Sequence, residues 1–149
     1  MTRYSHTQRS RWLAFIAVPF GLLMVGIAVF GEPVPGPVRA AFIAVALVFA
    51  WIMVDFSRLS VEVTHEIVVR FGTRWPRRTI DPSAITATRV VRNSPWYGWG
   101  IRWIRKGSLW NVWGLDAVEL DLTNGRRFRI GTDEPDELLA AIRALIGAS

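Results

Sequence analysis

Two long stretches without a charged residue constrain this chain more than any other feature. The first covers residues 12–30 and the second residues 40–54, joined by Gly31, Glu32, Pro33, Val34, Pro35, Gly36, Pro37, Val38 and Arg39. As a helix rising about 1.5 Å per residue, the 19-residue first run reaches roughly 28 Å, close to the hydrocarbon thickness of a bilayer. The second run is short by itself. It becomes adequate if the helix starts near Val38 and ends at Phe56, with Arg39 snorkelling to one interface and Asp55 at the other. The expectation is a membrane-spanning helical hairpin, with spans at 12–31 and 38–56 and an extracytoplasmic loop at 32–37. Two core helices of a soluble protein are the competing reading, but the rest of the chain is too small to wrap two helices that are apolar all round. A cleaved signal peptide also fits poorly, because the first run exceeds a usual hydrophobic region and no small-x-small site follows Phe30. Pro19, with Gly21 nearby, is tolerated within a membrane helix.

Flanking arginines set the orientation. Arg3, Arg9 and Arg11 precede the first run, Arg39 is the lone cation of the connection, and Arg58, Arg70, Arg74, Arg77 and Arg78 follow the second. The positive-inside rule places both termini in the cytoplasm, the 1–11 segment as a tail and residues 57–149 as a cytoplasmic domain. Trp12 and Trp51 then fall at the same, cytoplasmic interface. Ala17 with Gly21, Ala40 with Ala44 and Ala46 with Ala50 are small-xxx-small pairs that let two helices approach.

Composition follows from this division. The chain is 51% hydrophobic with eight Trp, and the spans take up much of that, leaving about 95 residues for one small domain. From Asp55 onward there are 14 basic and 11 acidic residues, too mild an excess for a nucleic-acid-binding face. No Cys is present, which removes disulfides and thiolate metal sites. Only Lys106 among the 18 basic residues is a lysine.

The domain reads as successive strands. Leu59, Val61 and Val63 alternate with polar residues, turn at Thr64-His65-Glu66, and resume as Ile67, Val69 and Phe71. A short third strand at 77–80 leads through a capped turn, Asp81-Pro82-Ser83, into a fourth at 86–91. After a loop rich in aromatics and glycine at 92–100, strands at 101–106 and 109–112 suggest a hairpin about Gly107-Ser108. In the last hairpin a two-residue Asn124-Gly125 turn would mix the faces. A three-residue loop, Thr123-Asn124-Gly125 with Gly125 left-handed, sets Leu120 against Phe128, Val118 against Ile130, Glu119 against Arg129 and Asp121 against Arg127. A helix then starts at Thr132-Asp133-Glu134-Pro135 with a capping side chain and buries Leu138, Leu139, Ile142, Leu145 and Ile146.

About seven strands followed by one amphipathic helix is the order of a pleckstrin-homology-like (PH-like) small β-barrel closed by a C-terminal helix. The runs Gly98-Trp99-Gly100-Ile101-Arg102, Trp110-Asn111-Val112-Trp113-Gly114, Ala117-Val118-Glu119-Leu120 and Ile130-Gly131-Thr132-Asp133-Glu134-Pro135 resemble small bacterial membrane proteins in which a PH-like domain follows two spans. That resemblance implies a two-pass protein of the bacterial inner membrane. It carries over no catalytic residue and no cofactor.

Chemistry is sparse. His6 and His65 have no second His or Cys at ligand spacing, so no metal site is expected. Glu119 and Asp121, expected on an exposed strand face, each oppose an arginine, which favours cross-strand pairing over acid–base catalysis. The candidate surface is the stretch that holds Arg92, Trp96, Tyr97, Trp99, Arg102, Arg105 and Lys106. In one reading Trp103 and Trp110 fill the barrel and the cations make a solvated face. In the other the loop tryptophans lie at the headgroup level, the cations meet anionic phospholipid, or the aromatics anchor a membrane-protein partner. The short link from Val54 to Leu59 ties the domain near the leaflet. The function expected is a non-enzymatic interaction or scaffold module, with anionic-lipid binding as the alternative.

Overall fold

The computed structural model describes residues 4–10, 12–31 and 35–148. Arg3, Arg11 and Glu32, used in the charge asymmetry, lie outside the described residues. The chain divides into two compact units, one running from Ser10 to Ser57 and the other combining the N-terminal segment with everything from Arg58 onward.

The first unit is a pair of helices, α1 (Trp12–Phe30) and α2 (Gly36–Phe56). Helix α2 starts two residues before the sequence reading, with a proline in its first turn, where a missing N–H costs nothing. Its 21 residues are long and apolar enough to cross a membrane; within α1 the stretch Phe15–Phe30 is apolar but shorter. The buried side chains of the pair are small, Ala17, Ala28 and Ala46, and the Phe20 and Phe49 rings stand 4.3 Å apart. Phe15, Leu22, Leu47 and Val48 point outward, an arrangement water disfavours and lipid does not.

Among the described residues, the second unit holds nine strands in two sheets. Strands β1 (Tyr4–Arg9), β2 (Arg58–Val63), β3 (Ile67–Phe71) and β4 (Arg77–Ile80) form an antiparallel sheet in chain order. Strands β5 (Ile85–Arg92), β6 (Gly100–Ile104), β7 (Gly107–Asn111), β8 (Asp116–Leu122) and β9 (Arg127–Gly131) form another in the order β5-β8-β9-β7-β6. The expected closed barrel is therefore corrected to two open sheets. The physical reason lies in β5, which pairs with β8 rather than with its successor, so the β6–β7 hairpin is displaced to the far side of β9 and joins it in parallel.

Where side-chain alternation was strong, the register follows it. Leu59, Val61 and Val63 stand opposite Phe71, Val69 and Ile67. The last hairpin pairs Val118 with Ile130, Glu119 with Arg129, Leu120 with Phe128 and Asp121 with Arg127, and Gly125 takes φ +74°. Asp81 accepts a bond from the Ser83 N–H at 2.8 Å and caps the turn before β5. Two expectations shift. The β6–β7 turn falls at Arg105-Lys106, not at Gly107-Ser108, because Gly107 is needed elsewhere: a Cβ there would run into the Arg127 backbone carbonyl. Helix α3 (Pro135–Gly147) has no side-chain cap; the Thr132 hydroxyl instead accepts the Glu134 N–H at 3.1 Å.

The sheets meet where Phe71 packs against Trp110 at 5.7 Å, and Trp110 stands edge-on to Phe128 of its own sheet at 5.6 Å. Leu138, Ala141 and Ile142 of α3 are buried as the helix packs on β5 and β8, while Leu139, Leu145 and Ile146 are half-buried. Strand β1 was read as a tail. Its alternation is polar, so burial came from a neighbour: β1 lies along β2, and His6 reaches Asp133 at 2.7 Å and Glu134 at 3.2 Å. Tyr4 donates to the same Glu134 at 3.3 Å, and burial, then the Glu134 charge, raise the tyrosine pKa well above its ordinary value.

Candidate functional site

The seven candidate residues do not share one edge of the five-stranded sheet, because β5 and β6 are its opposite edge strands. Arg92 ends β5, Trp96 and Tyr97 form a single 3-10 turn, Trp99 precedes β6, and Arg102 is in the middle of β6. Arg105 and Lys106 make the turn at the other end of that strand. Five residues at about 3.3 Å each put roughly 16 Å between the two ends, so the structure makes two surfaces out of one candidate stretch.

The first surface is built from loop chemistry. Gly98 and Gly100 have φ +64° and +93°, conformations open to glycine, and they fold the chain back so that the Trp99 carbonyl accepts the Arg102 Nε–H at 3.1 Å. Trp99 stacks on Trp113 at 5.5 Å and 16°. The Trp113 segment is itself pinned: Asn111 donates to the Gly114 carbonyl at 2.9 Å and accepts the Trp113 N–H at 3.2 Å. Buried Gln8 of β1 donates to the Trp113 carbonyl at 3.0 Å. Trp96 has no such partner among the described residues and is 94% exposed. Trp113 was not picked out from sequence as a surface residue, although a tryptophan just before a glycine with φ +78° is a turn signal in its own right.

The second surface surrounds the Arg105-Lys106 turn. Trp103 was expected in the core with Trp110. Trp110 is buried, but Trp103 is 86% exposed, because β6 is an edge strand and none of its residues is buried. Beside it lies an open groove of about 600 Å³ lined by Trp103, Ile104, Lys106, Gly107, Gly125 and Arg126. Arg126 comes from the neighbouring hairpin and was not picked out from sequence, since register across the parallel β7–β9 pair decides its position.

Glu119 is also corrected. It was expected on an exposed face and is only 1% exposed, covered by the guanidiniums of Arg89 and Arg129 with Arg127 at 4.0 Å. Arg89 also bonds Asp121 at 2.7 Å, and that bond, against partial desolvation, holds its pKa above the ordinary value. With every acid answered by a cation, this cluster is an ion-pair network. Among the described residues no group of three or more His, Asp or Glu is placed to hold a metal ion. Comparison with known proteins finds no family model that matches the chain and no matching curated protein.

Proposed function

We propose that the protein is a membrane-anchored, non-enzymatic interaction module: a two-pass helical hairpin with both termini cytoplasmic, presenting a PH-like strand domain at the inner face of a bacterial cell membrane. The observation that carries this reading is the first surface. A fully exposed Trp96 and a Trp99/Trp113 stack sit on a pinned loop that runs from Arg92 at the end of β5 to β6 with Arg102, a combination water disfavours and a partner anchors on. Crosslinking from a photoreactive residue at position 96 in native membranes, followed by mass spectrometry, should capture one membrane protein, and Trp99→Ala should abolish the product. Diffuse labelling unchanged by Trp99→Ala would reject a protein partner. Topology has its own test, since the chain lacks Cys. In intact cells an impermeant maleimide should label Gly36→Cys and leave Ser149→Cys unlabelled. The alternative reading, binding of anionic lipid, draws its support from the second surface.

A further inference from the structure

The groove beside Lys106 is made by two hairpin tips that the sequence keeps apart and the parallel β7–β9 pair brings together. The Arg127 N–H donates to the Lys106 carbonyl at 2.7 Å, and Gly107 permits the approach because any side chain there would strike Arg127. Lys106 itself holds φ +65°, and it is the one non-glycine residue among those described with positive φ. A lysine kept where glycine would be relaxed points to a use for its side chain. Every charged side chain lining the groove is a cation. No carboxylate pairs with Lys106 or Arg126 among the described residues. Arg78 stands 4.3 Å over the Phe128 ring, and burial, then the like charge of Arg126, lower its pKa. Positive potential is therefore concentrated, with no carboxylate among the described residues paired to neutralise it.

We propose that this groove is a docking site for the phosphate of an anionic phospholipid headgroup, with Lys106 and Arg126 meeting the phosphate and Trp103 lying among the headgroups. The inference rests on the membrane-span reading but not on a protein partner at Trp96. Three features select a lipid over a soluble phosphate. The groove is open, so each cation stays hydrated and attracts a lone anion weakly, by about 1 kcal/mol. Attraction of that size becomes useful when the ligand is at high effective concentration, and a single residue, Ser57, separates α2 from β2. An exposed indole with no ring to stack on among the described residues fits the interfacial layer, where tryptophan is favoured.

The sole lysine makes the test direct. The full chain is reconstituted in nanodiscs of phosphatidylcholine alone or with one third phosphatidylglycerol. Acylation of Lys106 is then followed by mass spectrometry relative to the α-amino group of the same chain, which reports the general surface potential. Lys106 should react roughly fivefold more slowly with phosphatidylglycerol present, the factor that about 1 kcal/mol supplies. Trp103→Ala with Arg126→Ala should erase the difference. Both positions are exposed, and an unchanged melting curve shows that the pair folds; Arg126→Gln alone replaces it if it does not. Equal rates in the two discs, or a difference that survives the substitutions, would overturn the proposal. Equal protection by soluble glycerol phosphate in phosphatidylcholine discs would also overturn it, by assigning the groove to a free anion. Alkaline extraction of the chain from the discs would sink the span reading instead, and the same labelling on added liposomes then decides the groove.

Discussion

Around Glu119 three arginines converge on one carboxylate; around Lys106 the cations converge on none. Both clusters belong to the same five-stranded sheet, and both draw their residues from β8–β9 and a neighbouring strand or turn. The difference is where the strands put the acids. Glu119 is in the middle of β8, flanked by β5 on one side and β9 on the other, so Arg89 and Arg129 are fixed opposite it by register. Lys106 and Arg126 occupy hairpin tips, beyond the last paired acid. Charge inside the sheet is spent on the fold, and charge at its end is left for a partner.

The comparison is broken most severely at Glu119. Glu119→Ala leaves Arg129 without its carboxylate and Arg89 with Asp121 alone, and should cost roughly 2–3 kcal/mol. That is less than a fully buried pair would lose, because Arg89 stays half-exposed. Denaturant unfolding of the full chain in detergent, followed by tryptophan fluorescence, measures it, and a loss below half that size would mean the arginines find water instead.

Gly107→Ala comes next and tests whether the two hairpin tips must touch. A methyl group that meets a backbone carbonyl cannot be relieved by a rotamer, so a loss of about 2 kcal/mol is expected, together with loss of any lipid effect on Lys106. A stable variant that keeps the lipid effect would show that the groove forms without the close β7–β9 approach.

Gly125→Val isolates conformation from packing. Nothing lies within 4 Å of a Cβ at Gly125, so the cost of about 1 kcal/mol comes from a β-branched residue at φ +74° alone. An unchanged midpoint would reject the left-handed three-residue loop. The smallest effect sharpens the comparison from its other side: Arg126→Ala, an exposed cation without an acid partner, should change stability by less than about 0.5 kcal/mol. A larger loss would make Arg126 part of the fold, as Arg129 is.

The sequence by itself determined the elements whose periodicity repeats within a few residues. The uncharged runs settle helices because no charge interrupts the apolar surface, and alternation of apolar and charged positions chose the 123–125 loop, since any one-residue slip would put Arg127 or Arg129 in the core. Those same alternations predicted two of the arginine–acid pairs but not the third, Arg89, which arrives from a strand 30 residues earlier. Of the candidate site, the exposed loop tryptophan at 96 was legible from its Pro, Gly and aromatic neighbours. The separation of Lys106 from Trp96 was not, nor was the recruitment of Arg126.

Only the tertiary structure decided the order β5-β8-β9-β7-β6, and with it the burial of Glu119, the exposure of Trp103 and the pairing of the polar N-terminal strand with β2. Strand order depends on which distant edges bury most surface when they meet, and a local pattern carries no record of that choice. Gly107 shows the limit most plainly. Beside a serine it reads as a turn, yet what requires a glycine there is the backbone of Arg127, a neighbour that exists only once the sheet has formed.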